Sequence, residues 1–170
     1  MADAPFIITA ELPPDLAGWA TRLRTQHFPP ERNHLSAHVT LFHALPLSAG
    51  SEIKAALAAE AAQHAPVEAQ LEGIMSLGRG TALKLTSPAM LGIWQDLADR
   101  FFGLLTPQDT HRPRLHVTIQ NKVSPQEAKA LQAKLTPTIE PRAFRFAGLS
   151  LHIYRNGPWE HVRTYPFRGR

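Results

Sequence analysis

The sequence predicts an α+β protein of two similar lobes related by a pseudo-twofold axis, in which two antiparallel sheets line a central cleft and helices lie outside. Strand-like and helical segments alternate along the 170 residues. Trp19 and Trp94 lie 75 positions apart, each after a proline-marked helix start. His38-Val39-Thr40-Leu41 recurs 78 positions later as His116-Val117-Thr118-Ile119. Because two copies are too few for a solenoid, we expect residues 1–170 to form one domain of two interleaved lobes.

The first half of the chain is predicted to contain two strand–helix units followed by a pair of strands. Alternating apolar runs predict the strands, and apolar residues at helical spacing predict the helices. The elements in order are a strand at Phe6–Leu12, a helix from Pro13 with Leu16, Trp19 and Leu23 inward, a strand at Ser36–Leu45, a helix marked by Ile53, Ala56, Leu57 and Ala61, and strands at Val67–Leu77 and Ala82–Thr86.

The second half repeats this pattern with clearer helix starts. Ser87-Pro88 is typical of an N-cap followed by proline at the first helical position, and the run Ser124–Glu127 is typical of a capping box. The predicted elements are a helix with Leu91, Trp94, Leu97, Phe101 and Leu104 inward, a strand at Arg114–Val123, a helix with Ala128, Leu131 and Leu135 inward, and strands at Phe144–Tyr154 and Glu160–Phe167 joined by a hairpin at Asn156-Gly157.

The composition excludes several kinds of chemistry. The chain has no cysteine, which excludes a disulfide framework, a thiolate metal site and a cysteine nucleophile. No apolar run approaches the roughly 20 residues that span a bilayer. Residues 1–15 lack the basic start and the small-residue cleavage site of a signal peptide. We therefore expect a cytoplasmic protein that does not enter a membrane.

Positive charge is concentrated at the C-terminal end. Residues 141–170 hold six arginines against the single acid Glu160, whereas the whole chain has a formal net charge of +4. A basic segment of this kind suits a partner that carries phosphate. A solvated, arginine-rich sheet edge would have the same composition, so charge alone leaves the function open.

The two repeated tetrapeptides bring four polar side chains together. Because side chains alternate along a strand, one face of the first strand is predicted to carry His38, Thr40 and Phe42. One face of the second strand is predicted to carry Arg114, His116, Thr118, Gln120 and Lys122. The apolar residues between them point to the opposite, core face. In two lobes related by a twofold axis, both polar faces line the cleft. The alternative to a catalytic role is a structural one, in which each strand holds one half-buried histidine that is hydrogen-bonded to backbone.

This set of side chains suits cleavage of a phosphodiester. In-line attack needs a base for the nucleophile and an acid for the leaving oxygen, and the ordinary pKa of histidine suits both tasks near neutrality. His38 and His116 would divide these tasks. Thr40 and Thr118 can donate hydroxyl hydrogen bonds to the non-bridging phosphate oxygens. This chemistry requires neither a metal nor a cofactor.

The two motifs resemble the signature motifs of the two-histidine (2H) phosphoesterases, and the chain is similar to the 2′-5′ RNA ligase family within that superfamily. The resemblance implies a bilobal α+β fold and metal-free hydrolysis or transfer at 2′,5′-phosphodiesters or 2′,3′-cyclic phosphates. It implies that His38 and His116 are the catalytic acid–base pair and that Thr40 and Thr118 bind phosphate. It further implies that His116 activates the nucleophile and His38 protonates the leaving oxygen. The expected substrate is an RNA end, an oligonucleotide or a cyclic-phosphate nucleotide, and no obligate protein partner is indicated.

Residues near the motifs are candidates for further substrate contacts. Arg114 and Lys122 have the same strand parity as His116, so they either bind phosphate or end the strand in solvent. Phe42, Tyr154 and Trp159 either stack on a base or belong to the core, as most strand aromatics do.

Two other functions use the same residues. The cleft can serve a non-catalytic or weakly active module that binds RNA or nucleotides, although binding depends more on cations and stacking than on imidazoles. A metal-dependent hydrolase needs carboxylate ligands near a histidine pair, and neither motif has one beside it. His34 and His38 have a metal-like spacing only on a helix, whereas on a strand they lie about 13 Å apart.

Overall fold

Two four-stranded antiparallel sheets form the framework of the computed structural model, which describes residues 4–170. The strands are β1 (Phe6–Glu11), β2 (Val39–Leu45), β3 (Val67–Ser76), β4 (Thr81–Thr86), β5 (His116–Gln120), β6 (Arg142–Phe146), β7 (Gly148–Tyr154) and β8 (Trp159–Pro166). One sheet has the order β2-β1-β7-β8 and the other β5-β4-β3-β6. The predicted α+β fold class is therefore confirmed. The first three residues of the segment searched for a signal peptide lie outside the described part of the chain.

Four α-helices connect the strands, and proline marks the starts of three of them as predicted. The helices are α1 (Pro14–His27), α2 (Gly50–Gln63), α3 (Pro88–Arg100) and α4 (Pro125–Leu135). The Ser87 hydroxyl accepts a hydrogen bond from the backbone N–H of Met90 at 3.1 Å, and Ser124 accepts one from Glu127 at 3.1 Å. Each bond satisfies a backbone donor that lacks a partner in the first helical turn. Among residues 4–170, no helix is long and apolar enough to cross a membrane.

The strand pairing locates the pseudo-twofold axis. In the antiparallel pair β3–β6, Ala69 lies opposite Phe144, and these two residues are 75 positions apart, like the tryptophans of the repeat. A residue that pairs antiparallel with its own repeat equivalent must lie on the axis that relates the copies. The axis therefore passes between β3 and β6.

The two copies exchange strands around this axis. β3 follows α2 in the chain but lies beside β4, in the sheet of the second copy. In the same way, β7 follows α4 but lies beside β1, in the sheet of the first copy. Each sheet therefore contains a strand from the other half of the chain.

A β-bulge interrupts each motif strand at the same point. Thr9 pairs with Thr40 but Ile8 pairs with Phe42, so Leu41 has no partner on β1. On the other sheet, Ala82 pairs with Thr118 and Thr81 with Gln120, which leaves Ile119 without a partner on β4. An extra residue reverses the alternation of the side chains that follow it. Phe42 and Gln120 are consequently buried, at 0% and 6% exposure, instead of facing the cleft.

Side chains from opposite helices bond the backbone at these bulges. The indole Nε1 of Trp94 in α3 donates to the Leu41 carbonyl at 3.2 Å. The guanidinium Nη1 of Arg24 in α1 donates to the Thr118 carbonyl at 2.7 Å. β2 and β5 are edge strands, so among residues 4–170 one side of each has no neighbouring strand whose backbone N–H groups could donate to these carbonyls. Each motif strand is thus fixed by a helix of the other copy.

The largest error of the sequence analysis concerns the predicted strand Phe144–Tyr154. It divides at Ala147 into β6 and β7, which belong to different sheets. The backbone N–H of Ala147 donates to Glu11 at 2.8 Å, where the chain crosses from one sheet to the other. By contrast, the predicted turn at Asn156-Gly157 is present, with φ values of 59° and 129°. These left-handed conformations are the ones that asparagine and glycine tolerate best.

Candidate active site

The two motif strands face each other across one cavity. A cavity of about 400 Å³ is lined by His38 and Thr40 from one sheet and by His116 and Thr118 from the other. β2 and β5 are the edge strands of their sheets and contact each other. All four side chains are half-buried, so they are accessible from the cavity but held by their surroundings. The structure brings together the four residues that the motifs predict.

Both imidazoles are oriented by the same local hydrogen bond. Nδ1 of His38 lies 2.8 Å from the carbonyl oxygen of Ser36, and Nδ1 of His116 lies 2.5 Å from that of Arg114. Because a carbonyl oxygen only accepts, Nδ1 must carry the hydrogen in both rings. Nε2 then holds a lone pair in the neutral ring or a proton in the cation. Within residues 4–170, neither Nε2 forms a hydrogen bond, so both are free to act on a ligand.

The surroundings of His38 favour the neutral imidazole. Burial lowers the pKa of His38 to about 4, and the positive charges of Arg24, His152 and His116 act in the same direction. The hydrogen bond to Ser36 opposes this shift but is the weaker effect. His38 is therefore a proton acceptor at neutral pH in the ligand-free protein.

Arg24 is a site residue that the sequence analysis missed. Its side chain is 3% exposed and donates to the carbonyls of Leu35 and Thr118 at 3.1 and 2.7 Å and to Asn33 Oδ1. In the part of the chain that the structure describes, it has no carboxylate partner. Burial lowers its pKa to about 10, so it stays charged. An arginine following Leu16, Ala20 and Leu23 on the inward face of α1 was the available signal.

A second cavity opens on the other side of His38. It has a volume of about 460 Å³ and shares His38 and Trp159 with the motif cavity. The Trp159 ring lies 4.6 Å from the His38 ring and 5.4 Å from the His152 ring, measured between centroids. Trp159 therefore forms the wall between the two cavities.

Hydroxyl groups and histidines at this second cavity form two hydrogen-bonded sets. His152 Nε2 lies 3.0 Å from the Thr9 hydroxyl. The Thr164 hydroxyl lies 2.8 Å from both Ser150 Oγ and His161 Nε2, and Ser150 also donates to Glu11. Burial lowers the pKa of His152 to about 4. The cavity thus offers hydroxyl and imidazole groups together with one carboxylate.

The other predicted contact residues divide into three groups. Arg114 lines the motif cavity, and Trp159 lines both cavities. Lys122 lies in an exposed turn after the bulge, with a left-handed φ of 58°, and lines neither cavity. Phe42 belongs to the core, which is one of the two alternatives for it, and Tyr154 lines neither cavity. Phe42 is fully buried, with its ring centroid 5.8 Å from that of Trp94, and Tyr154 is 39% exposed at the end of β7, where it pairs with Trp159 of β8.

Asp109 and His43 form a further pair in the wall of the motif cavity. The buried Asp109 carboxylate accepts hydrogen bonds from the backbone N–H groups of His43 and Ala44 at 2.9 Å and lies 3.0 Å from His43 Nδ1. These hydrogen bonds lower the pKa of Asp109 despite the opposing effect of burial. The pair holds the end of β2 against the loop before β5. No periodicity indicates Asp109, because it lies in a single 3₁₀ turn, Gln108–Thr110, which is too short to show a repeat.

Acid should destabilise the fold through His38 and His152. Their pKa values near 4 lie below the ordinary value of 6.5, so the unfolded chain binds protons first as the pH falls. Their contribution to stability is complete above about pH 6.5 and is lost towards pH 4, by up to about 1.4 kcal/mol per pH unit for each histidine. We expect His152→Gln to flatten the fall of Tm between pH 6.5 and 4, measured by circular dichroism. An unchanged slope would contradict this account.

The chain matches a known family over most of its length. A family model described as the 2′-5′ RNA ligase superfamily matches residues 12–158, which include both His-x-Thr motifs. A comparison with curated proteins finds no match.

Solved structures share the fold at low sequence identity. TT0787 of Thermus thermophilus superposes with a TM-score of 0.67 at 17% identity, over 98% of this chain and 99% of that one. E. coli LigT complexed with 3′-AMP gives a TM-score of 0.67 at 14% identity, with the same coverage. A structure described as a phosphoesterase gives 0.60 at 16% identity, again over 98% and 99% of the two chains. With the family match, these folds confirm the resemblance that the two motifs predict.

Proposed function

Because the chain belongs to the 2′-5′ RNA ligase superfamily, we propose that it is a metal-independent phosphodiesterase acting on 2′,3′-cyclic phosphates or 2′,5′-linked RNA. One observation carries the proposal. Two His-x-Thr motifs face each other across a single cavity, with both Nδ1 atoms bonded to backbone and both Nε2 atoms available. A phosphodiester between them would have an acid and a base on opposite sides of the phosphorus.

Hydrolysis of a 2′,3′-cyclic phosphate can be written with these groups alone. A water oxygen forms a bond to phosphorus while the bond from phosphorus to one ribose oxygen breaks. One imidazole accepts the proton of the water through Nε2, and the other donates its Nε2 proton to the leaving ribose oxygen. The product is a phosphomonoester, and exchange with solvent restores the two protonation states. If a ribose hydroxyl attacks instead of water, the same opening of the cyclic phosphate forms a phosphodiester, which is the reverse of the cleavage of that diester to a cyclic phosphate.

The lowered pKa of His38 supports His38 as the base. Its neutral form dominates at neutral pH, so no proton has to leave before it accepts one from water. His116 then serves as the acid, which reverses the division of roles that the family resemblance implies. In a plot of kcat/KM against pH, the fall in activity at low pH reports the pKa of the catalytic base in the free enzyme. With His38 as the base, activity should persist down to about pH 4. With His38 as the acid, activity would rise as the pH falls towards 4.

The threonines and arginines of the motif cavity suit the phosphate. Thr40 and Thr118 present hydroxyls from opposite strands, beside the two histidines. Hydroxyl donors aimed at the non-bridging oxygens stabilise the charge that grows on attack. Arg112 and Arg114 are exposed side chains that line the same cavity. They add positive charge for the phosphate but are not held in one fixed position. We expect them to affect substrate binding more than turnover.

The second cavity suits the nucleoside part of the substrate. It adjoins His38 and offers the Trp159 ring for stacking together with hydroxyl, imidazole and carboxylate groups. A base or ribose needs such a mixture of stacking surface and neutral hydrogen-bonding groups. The related LigT fold was solved with 3′-AMP, which supports a nucleotide as product here.

The proposal is tested by turnover in the presence of a chelator. Purified protein is offered 2′,3′-cyclic nucleotides, 2′,5′-linked dinucleotides and ADP-ribose cyclic phosphate with EDTA, and the products are identified by mass spectrometry. We expect at least one substrate to be cleaved at a rate that EDTA leaves unchanged. The double variant His38→Gln/His116→Gln serves as the inactive control. Loss of turnover with EDTA and recovery with Zn²⁺ or Mn²⁺ would contradict the proposal, and binding without turnover would favour the RNA-binding alternative.

A further inference from the structure

A cluster of three potential metal ligands lies outside both cavities, where α2 packs against α3. Glu60 lies in the last turns of α2, His64 follows the end of that helix, and Asp96 lies on α3. One ligand atom from each residue lies within 4.8 Å of the other two. The reaction proposed above uses none of the three residues.

The Glu60 carboxylate is buried without a hydrogen bond on one oxygen. Glu60 is 2% exposed, and its Oε2 atom has no hydrogen-bond partner among residues 4–170. His64 Nε2 lies 3.3 Å from this oxygen and forms an i,i+4 ion pair with it only when the imidazole is protonated. A buried carboxylate oxygen without a donor is costly, because folding removes the water that would solvate it. Burial and the nearby Asp96 accordingly raise the pKa of Glu60.

We propose that Glu60, His64 and Asp96 bind a divalent transition metal ion of the zinc class. Zinc takes imidazole nitrogen and carboxylate oxygen ligands at about 2.0–2.2 Å in a tetrahedral arrangement. Neighbouring ligand atoms on such a tetrahedron are about 3.3–3.5 Å apart. The 3.3 Å separation of Glu60 Oε2 and His64 Nε2 has this value. Asp96 is exposed, so its carboxylate can rotate inward, and water completes the four ligands.

Charge around the cluster is consistent with a cation. Glu60 and Asp96 together carry two negative charges when ionised, and a divalent ion would balance both. Arg100 is the nearby cation that acts on Glu60, but its side chain is exposed on α3 and can turn towards solvent. Metal binding requires Glu60 to be deprotonated and His64 to be neutral.

The position of His64 indicates a structural role for the ion. The C-terminal segment docks on the end of α2, where Arg168 N donates to Ala61 O at 3.1 Å and Gly169 N donates to His64 O at 2.9 Å. The Phe167 ring packs edge-on against the His64 ring, with centroids 6.4 Å apart. An ion on His64 would therefore hold α2, α3 and the C-terminal segment together. Removing it should lower stability without changing the chemistry in the motif cavity.

Zinc titration of the metal-stripped, tag-free protein tests this proposal. We expect Zn²⁺ to bind and to raise Tm. Isothermal titration should show at least tenfold weaker binding in His64→Gln and in Asp96→Asn. Asp99→Asn is the matched control, because Asp99 is also an exposed carboxylate of α3 but bonds Gln95 instead. His161→Gln controls for zinc on the histidines of the second cavity.

Two results would overturn the metal site. One is a wild-type Tm that Zn²⁺ leaves unchanged. The other is a zinc-dependent rise in Tm that survives in His64→Gln and Asp96→Asn or disappears in His161→Gln. Glu60→Gln provides a second check that keeps the side-chain volume. It should abolish the zinc-dependent rise in Tm, whereas a site without Glu60 as ligand would retain it. EDTA should lower the Tm of the zinc-loaded protein while leaving turnover unchanged, which separates this site from the proposed catalytic one.

Discussion

Replacing His38 or His116 by glutamine is expected to lower kcat/KM for the cleaved substrate by about 10²–10⁴, the usual contribution of a general acid or base. Glutamine retains a hydrogen-bond donor but cannot exchange a proton at neutral pH. Each change therefore removes one proton transfer from the reaction while preserving polarity in the cavity. The measurement is steady-state turnover with the substrate identified above.

Two controls make this result specific. His27→Gln changes a histidine of α1 outside both cavities, and its activity should equal that of the unchanged protein. The double variant should lose little more than the worse single variant, because groups that act in one step are not additive. Near-normal activity in either single variant would remove that histidine from the mechanism.

Replacing Thr40 or Thr118 by valine is expected to cost about 2–4 kcal/mol in kcat/KM, as the loss of an oxyanion donor does. Valine has nearly the same shape and favours strands as strongly as threonine, so both variants should fold. Serine keeps the hydroxyl and loses only a methyl group, so Thr→Ser should be mild at both positions. The comparison of kcat/KM between the two series isolates the hydroxyl.

Thr86→Val is the matched control for the valine series. Thr86 is an exposed threonine at the end of β4 and bonds Glu72 outside the site. If the valine variants at Thr40 and Thr118 keep their activity while the serine variants lose it, the threonines are packing residues and another group holds the phosphate.

The sequence was sufficient for the parts of the fold that depend on local pattern. Helix starts at Pro88 and Pro125 follow from proline and serine chemistry that acts within one turn. The two motif strands follow from a repeated tetrapeptide. The internal repeat that relates the two halves could be recognised because matching residues, such as Trp19 and Trp94, are separated by the same 75-residue offset.

What the sequence could not predict depends on pairing between distant strands. The bulges at Leu41 and Ile119 exist only relative to β1 and β4. Strict alternation therefore assigned Phe42 to the cleft, although it is core. The division of one predicted strand at Ala147 likewise depends on which sheet each half joins. The pattern of one sequence does not show which residues pair with each other across neighbouring strands. Both errors have this one physical cause.

Buried charges were the other feature that the sequence analysis missed, although the position of Arg24 on the inward face of α1 was a signal for one of them. Arg24 and Asp109 look like surface residues by type, because arginine and aspartate are almost never fully buried unless paired. Arg24 donates to the backbone carbonyl of Thr118 at one bulge, and Asp109 accepts from the backbone N–H of His43 near the end of the other motif strand. Their role is to provide hydrogen-bond partners for backbone groups that no neighbouring strand of the described chain pairs at those points.

The edge strand β8 makes the two sides of the motif cavity different. A site built from two equal halves would treat both ends of a phosphodiester alike, because exchanging the halves restores the same surroundings. β8 has no counterpart in the repeat, since the residues 75 positions earlier run from β4 into α3. It brings Trp159 against His38 and lines the second cavity with Trp159, His161 and Thr164. A smaller cavity of about 360 Å³ lies at the equivalent positions of the other sheet, including Lys84, Leu85 and Arg114, but no such strand within the described residues lines it. This one unduplicated strand would let an otherwise symmetric catalyst distinguish the nucleoside that it holds from the oxygen that it releases.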